Sequence, residues 1–166
     1  MSLKNVSLRQ AGEADWPAIC ALLEANRLPL DGAQAYLSNY VLALSDGEVI
    51  GTAGAEVYGT IALLRSVAVA PGLHRKGVGR VMVGSLIDKA KRRGIRKLCL
   101  LTVTAPEYFA QFGFKRGSHD QAPKALLEST EFQGACPASA TFMSLTLVEG
   151  TAALDRSTSR KGSTGC

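Results

Sequence analysis

The stretch Leu64-Arg65-Ser66-Val67-Ala68-Val69-Ala70-Pro71-Gly72-Leu73-His74-Arg75-Lys76-Gly77-Val78-Gly79-Arg80 decides how this chain is read. A run of small and β-branched apolar residues stops at Pro71-Gly72. A basic turn punctuated by Gly77 and Gly79 follows, and an amphipathic pattern begins at Val78. That order is strand, turn, helix N-terminus. Glycine lets the backbone approach a ligand closely, and the first turn of a helix offers N–H groups without intrahelical partners, so the turn suits a phosphate. It is neither the phosphate loop ending Gly-Lys-Ser/Thr nor the three-glycine dinucleotide fingerprint. Arg75, Lys76 and Arg80 favour an anion; the alternative is a helix start that uses glycine for tight packing, with solvated charges.

Around this segment the chain has 166 residues, 46% of them apolar and 20% charged, with a net charge of +5. Length and composition suit one soluble domain with a proper core. Much of the positive charge sits in the turn and in Lys89, Lys91, Arg92, Arg93, Arg96 and Lys97. No aromatics interleave with these residues, so they are read as a solvated face and helix C-terminal cations, and a nucleic-acid partner is not expected. Cys20, Cys99, Cys136 and Cys166 have no metal-ligand spacing, and no metal is expected. Cys20 and Cys99 lie in apolar patterns as small core residues. No apolar run reaches the roughly 18 residues that span a membrane, and Met1-Ser2-Leu3-Lys4 leads straight into a strand. A cytoplasmic, reduced protein without a membrane partner is the expectation.

Along the chain, Val6–Arg9 alternates as a strand. Asp15 caps a helix carrying Trp16, Ile19, Cys20, Leu22 and Leu23, which Leu28-Pro29 ends. A short helix covers Ala33–Leu37. Val41–Leu44 and Val49–Val57 form a hairpin about Asp46-Gly47, and Ile61–Ala70 is apolar on both faces, hence central. A long helix runs from about Gly77 to Arg93 with Val78, Val81, Met82, Leu86 and Ala90 inward. Leu98–Val103 is a buried strand, Pro106–Phe112 a short helix closed by Gly113, and another helix runs from after Asp120 to about Ser129. A loop over Glu131–Ser139 precedes a last strand, Phe142–Leu147. The expected fold is α/β: a mixed, mostly antiparallel central sheet flanked by helices on both faces. Residues 1–149 form one domain, and 150–166, rich in Ser, Thr, Arg and Gly, form a disordered tail.

With these elements placed, and with Tyr108-Phe109-Ala110-Gln111-Phe112-Gly113-Phe114 behind the second buried strand, residues 4–148 resemble a GNAT-superfamily N-acetyltransferase. That family's Gln/Arg-x-x-Gly-x-Gly/Ala turn becomes His74-Arg75-Lys76-Gly77-Val78-Gly79, with His74 where Gln or Arg is usual. Its second signature is a Gly-Phe preceded, four residues earlier, by a Tyr that protonates the departing thiolate. Phe109 occupies that position here, and Tyr108 precedes it by one residue. Leu100-Leu101-Thr102-Val103-Thr104-Ala105, Asp120-Gln121-Ala122-Pro123 and Glu131–Ala140 resemble the arsenic-resistance N-acetyltransferase branch, which is related to the acetyltransferase domains of N-acetylglutamate synthases.

The resemblance implies acetyl-CoA as cosubstrate. Its phosphates would lie on the turn His74, Arg75, Lys76, Gly77, Val78, Gly79 and Arg80, and its pantetheine would run beside Ser66, Val67, Ala68 and Val69, near Phe109. A backbone N–H among Val67–Val69 would polarise the thioester carbonyl. The acceptor is expected to be a small amine bearing a carboxylate, with Arg65, Ser66, Thr102, Cys136 and Ser139 as its candidate contacts. Glu56 is the candidate base and Tyr108 the substitute acid. A guanidinium in the apolar run at Arg65 demands a partner. That partner is either Glu56 on the neighbouring strand or the acceptor's carboxylate, with the second favoured. Cys136 in the acceptor loop is either a soft arsenic(III) ligand or an ordinary structural cysteine. Two other readings stay open, an acetyl-CoA-binding sensor without turnover and a peptide acetyltransferase with an open groove, as does a homodimer.

Overall fold

The structure, a computed structural model, describes residues 5–147; the tail expected from residue 150, with Cys166, lies outside them. Among the described residues there are seven strands: β1 (Val6–Gln10), β2 (Tyr40–Ser45), β3 (Glu48–Tyr58), β4 (Ile61–Val69), β5 (Lys97–Thr102), β6 (Lys115–Gly117) and β7 (Thr141–Thr146). Helices α1 (Trp16–Ala25), α2 (Val78–Arg92) and α3 (Pro106–Ala110) accompany them. The strands form one mixed sheet in the order β1-β2-β3-β4-β5-β7-β6. β1–β2, β2–β3, β5–β7 and β6–β7 pair antiparallel, whereas β4 and β5 pair in parallel through Ile61↔Lys97, Ala62↔Leu98 and Leu63↔Cys99. This is the expected α/β architecture.

By its contacts the chain divides into two compact units, residues up to Glu56 with Leu64–Leu86, and Val57–Leu63 with the residues from Ile87 onward. The first holds a core of Ile19, Leu22 and Leu23 from α1 with Ala33, Leu37, Tyr40, Leu42 and Ala68. Each buried large apolar side chain contributes about 1.5–3 kcal/mol. The β2–β3 hairpin turns at Asp46 and Gly47, both with positive φ (51° and 84°). A two-residue turn with φ positive at both positions matches the twist of paired strands, which is why Asp-Gly marks it in the sequence. In the second unit, Leu63, Cys99, Leu126 and Phe142 form a core with Ile61, Leu101 and Phe132 against it.

Several expectations need correction. Val81 is 49% exposed, while Val83 and Ile87 are buried with Val78, Met82, Leu86 and Ala90. The inward stripe of α2 therefore keeps Val78, Met82, Leu86 and Ala90 and takes in Val83 and Ile87 instead of Val81. Gly51 sets this contact, since a Cβ there would meet Met82 Cε at 2.8 Å and Val78 Cγ1 at 3.2 Å. The helix expected between Asp120 and Ser129 is two 3-10 turns, His119–Gln121 and Lys124–Glu128. Pro123 separates them, because the residue before a proline is pushed to extended backbone, and Ala122 has ψ 135°. The second short helix is likewise a kinked 3-10 segment, Gln34–Asn39. Strand β6 carries no apolar alternation and was not expected; it pairs on β7 through Lys115↔Ser144 and Arg116↔Met143. Val103 lies beyond β5 and is 58% exposed. Cys99 is buried as expected, whereas Cys20 is only half-buried. Burial, and then the charge of Glu24, push the Cys20 thiol up.

Asp15 does not cap α1 through its side chain. Its carboxylate turns back instead, accepting from Arg9 Nη1 and Nη2 at 2.9 Å each and from the Gly12 N–H at 2.8 Å. The Arg9 guanidinium first, then the Gly12 amide, hold Asp15 down to about 2. A carboxylate depressed on folding stabilises above its ordinary value, and that contribution is lost as pH falls toward the depressed one. Asp15→Asn is therefore expected to lower Tm at neutral pH. The gap to the parent should close as thermal melts are repeated from about pH 5 down to about pH 2.

Candidate active site

The turn between β4 and α2 is built from left-handed residues. Gly72, Arg75 and Gly77 have φ of 87°, 67° and 87°. Left-handed Arg75 and Gly77 flank Lys76, whose φ is not positive, and alternation of that kind is the backbone from which anion-binding nests are built. Leu73 N–H donates to Ala70 O at 3.0 Å, folding the chain back, and the first bond into α2 runs from Val81 N–H to Gly77 O at 3.2 Å. The amides of Val78 and Gly79 thus precede the first intrahelical donor. No acidic residue lies in the first turn of α2, and Lys89, Lys91 and Arg92 lie in its last, so the helix N-terminus keeps its positive field. His74, Arg75, Lys76, Gly77 and Arg80 are exposed, whereas Val78 is buried and anchors the helix start. A Cβ on Gly77 would meet nothing within 4 Å. Glycine is needed there for its φ, and the space beside it is open to a ligand.

Asn26, a residue sequence reasoning missed, holds His74. Its Nδ2 donates to Leu22 O at 2.8 Å and to Val69 O at 3.1 Å, tying the end of α1 to the end of β4. Its Oδ1 lies 3.2 Å from His74 Nε2. Because Nδ2 faces two carbonyls, Oδ1 must accept and the His74 Nε2 must donate.

Within β4 the backbone breaks its own rule. Ser66 has φ +60°, a left-handed residue in a strand. Its Oγ lies 2.7 Å from the Tyr40 hydroxyl and accepts from Arg65 Nε at 3.2 Å. Arg65 Nη1 donates to Glu56 Oε2 at 2.6 Å, and Nη2 to Pro29 O at 3.2 Å. The side chains of Arg65 and Glu56 are 0% and 1% exposed. Of the two partners weighed for Arg65, the structure supplies Glu56. Tyr40 and the Pro29 carbonyl join this network unannounced by any local motif. A signal did exist, since Tyr40 stands opposite Gly54 in the β2–β3 register.

Ala68 and Val69 are buried and Val67 is half-buried. The remaining candidates belong to the second unit. Thr102 is buried, and its Oγ1 accepts the Ala105 N–H at 3.1 Å, shaping the turn after β5. Phe109 is buried, with its ring centroid 6.1 Å from that of Phe114. Tyr108 is half-buried and stacks edge-on against Phe109 and Phe112, at 5.2 and 5.4 Å. Cys136 is half-buried and Ser139 exposed.

A basic turn with left-handed residues thus opens α2 behind β4, in which Ser66 is itself left-handed. The sequence profile of the acetyltransferase (GNAT) family matches residues 8–116. The chain belongs to the acetyltransferase (GNAT) family. Among curated proteins, an amino-acid acetyltransferase of Neisseria meningitidis is 35% identical over 131 residues, covering 72% of this chain and 29% of the relative. The chain thus spans about three tenths of the length of that relative. Among solved structures, N-acetylglutamate synthase from Neisseria gonorrhoeae, complexed with coenzyme A and N-acetyl-glutamate, aligns with a TM-score of 0.75 at 27% identity, over 87% of this chain and 36% of that one. A Mycobacterium tuberculosis protein in complex with CoA aligns with a TM-score of 0.72 over 86% of this chain and 99% of its own. At 20% identity it shows the shared fold alone.

Proposed function

We propose that this protein transfers the acetyl group of acetyl-CoA to the amine of a small acceptor bearing a carboxylate, an amino acid or an amino-acid-like organoarsenical. The observation that carries the reading is the exposed Arg75–Gly77 turn on the acid-free start of α2, in a chain 35% identical to an amino-acid acetyltransferase. A diphosphate fits such a turn: consecutive amides, a helix N-terminus and flanking cations are the donors that it takes. Bound acetyl-CoA supplies an activated acyl thioester. His74, positioned by Asn26, would meet the phosphates with its side chain, and a backbone N–H among Val67–Val69 would polarise the thioester carbonyl.

Glu56 and Arg65 brace this site rather than touch the acceptor. What supports this is their ion pair at 2.6 Å, with the Arg65 and Glu56 side chains 0% and 1% exposed, which already engages the groups that an amine proton or a carboxylate would need. The acceptor's proton leaves to water. Tyr108 packs its ring among Phe109 and Phe112, and a thiolate of ordinary thiol acidity departs without an obligatory acid.

The test is thiol release from acetyl-CoA with a panel of amino acids, arsenical analogues and lysine-bearing peptides. Saturable release with amino acids or the arsenicals, and inert peptides, is expected. Tight acetyl-CoA binding without acceptor-dependent thiol would replace the transferase by a sensor, and a preference for peptides would replace the small acceptor.

A further inference from the structure

Every residue from Ala62 to Val69 is buried except one, Val67, which directly follows the left-handed Ser66. A non-glycine residue in that conformation is strained and persists only where its surroundings hold it. Here the hold is visible. Ser66 is 6% exposed, and its Oγ is gripped from one side by the Tyr40 hydroxyl and from the other by Arg65 Nε. Tyr40 begins β2, two strands from β4, and reaches Ser66 by lying across β3 at Gly54. A Cβ on Gly54 would stand only 2.2 Å from the Tyr40 ring, so the glycine forms the slot through which the phenol passes. Tyr40 is 1% exposed, so its hydroxyl is shielded from bulk water.

We propose that Tyr40 is a positioning residue for acyl transfer. By holding Ser66 left-handed it turns the next amide, the N–H of Val67, toward the thioester carbonyl. The proposal rests on the transferase reading above, and gives it a dependence on a residue that touches neither acetyl-CoA nor acceptor. Anchoring through a side chain explains why a serine, rather than a glycine, occupies a left-handed position: glycine would adopt the angle but would leave it unfixed.

The experiment combines kinetics with isotope-edited infrared spectra of acetyl-CoA carrying 13C at the thioester carbonyl, bound to the protein without acceptor. The carbonyl band of the parent complex is expected below its solution position, as hydrogen bonding requires. Tyr40→Phe keeps the ring and removes the hydroxyl. It should return the band more than about halfway and lower kcat about tenfold, with both KM values within about twofold. Ser66→Ala should reproduce the loss, Ser66→Gly should lose less, and the double variant Y40F/S66A should be no worse than either single change. An unshifted band with kcat within about twofold in Tyr40→Phe, additive losses in the double variant, or a loss that follows Tm alone would overturn the proposal. A parent that shows the lowered band but acetylates no amine would remove the transferase reading while the band still decides Tyr40. A parent without the lowered band would remove the proposal.

Discussion

Gly77→Glu is expected to weaken coenzyme A binding by at least about a hundredfold while leaving the fold in place. Three effects act in the same direction. Gly77 sits at φ 87°, where a side chain costs about 1–2 kcal/mol, so a substituted turn relaxes and must be forced back on binding. The new carboxylate repels a diphosphate at close range, in a dielectric below that of water. It also offers the amides of Val78 and Gly79 a tethered anion to bind instead. The fold should survive because a Cβ at Gly77 meets nothing within 4 Å. Gly77→Ala separates backbone from charge: it carries the strain alone and should cost only about five- to thirtyfold in affinity. Isothermal titration of coenzyme A into each variant, with thermal melts to confirm folding, measures both. Unchanged affinity in Gly77→Glu would take the phosphates away from this turn.

What makes that turn testable also made it legible. Its signals are local: apolar β-branched residues up to Val69, a Pro-Gly break, two glycines with one residue between them, then helical spacing. The Asp46-Gly47 hairpin is legible for the same reason, because two adjacent residues carry the whole geometry. The face of α2 was less so, since Val81 and Val83 are the same residue type, yet the first is 49% exposed and the second fully buried. The 3-10 turns around Pro123 and the short strand β6 are defined by what they pack on, not by their own periodicity. The Tyr40–Ser66–Arg65–Glu56 network draws on β2, β3 and β4 and on the Pro29 carbonyl. No window of sequence contains it, and the left-handed φ of Ser66 contradicts the strand propensity that surrounds it. Arg65 alone was visible as an anomaly, a charge in an apolar run, and its solution lay nine residues upstream on the adjacent strand.

Glu56→Ala is expected to be the most destabilising single change in this network, at about 3–5 kcal/mol. The attraction within the pair is not the main reason, since burying two charges consumes much of it. The cost arises because Arg65, 3% exposed, would keep its charge after losing the Glu56 carboxylate from beside it. Arg65→Met should cost comparably by orphaning Glu56, whereas the double change Glu56→Leu with Arg65→Met should recover much of either loss, because no buried charge then remains. Urea denaturation of the four proteins closes the cycle, and a loss under about 1 kcal/mol in Glu56→Ala would mean that the pair does not form in solution. Glu56→Gln carries the functional half of the question. As a brace, Glu56 can be replaced by an amide that still accepts from Arg65 Nη1, so stability falls by less than in the alanine variant and kcat by no more than about tenfold. As a general base it could not: kcat would drop by about a hundred- to ten-thousandfold at nearly unchanged stability, and rise again with pH as the amine loses its proton unaided. The two roles thus separate in one variant, because a brace acts through the folded population and the position of β4, whereas a base acts only on the proton.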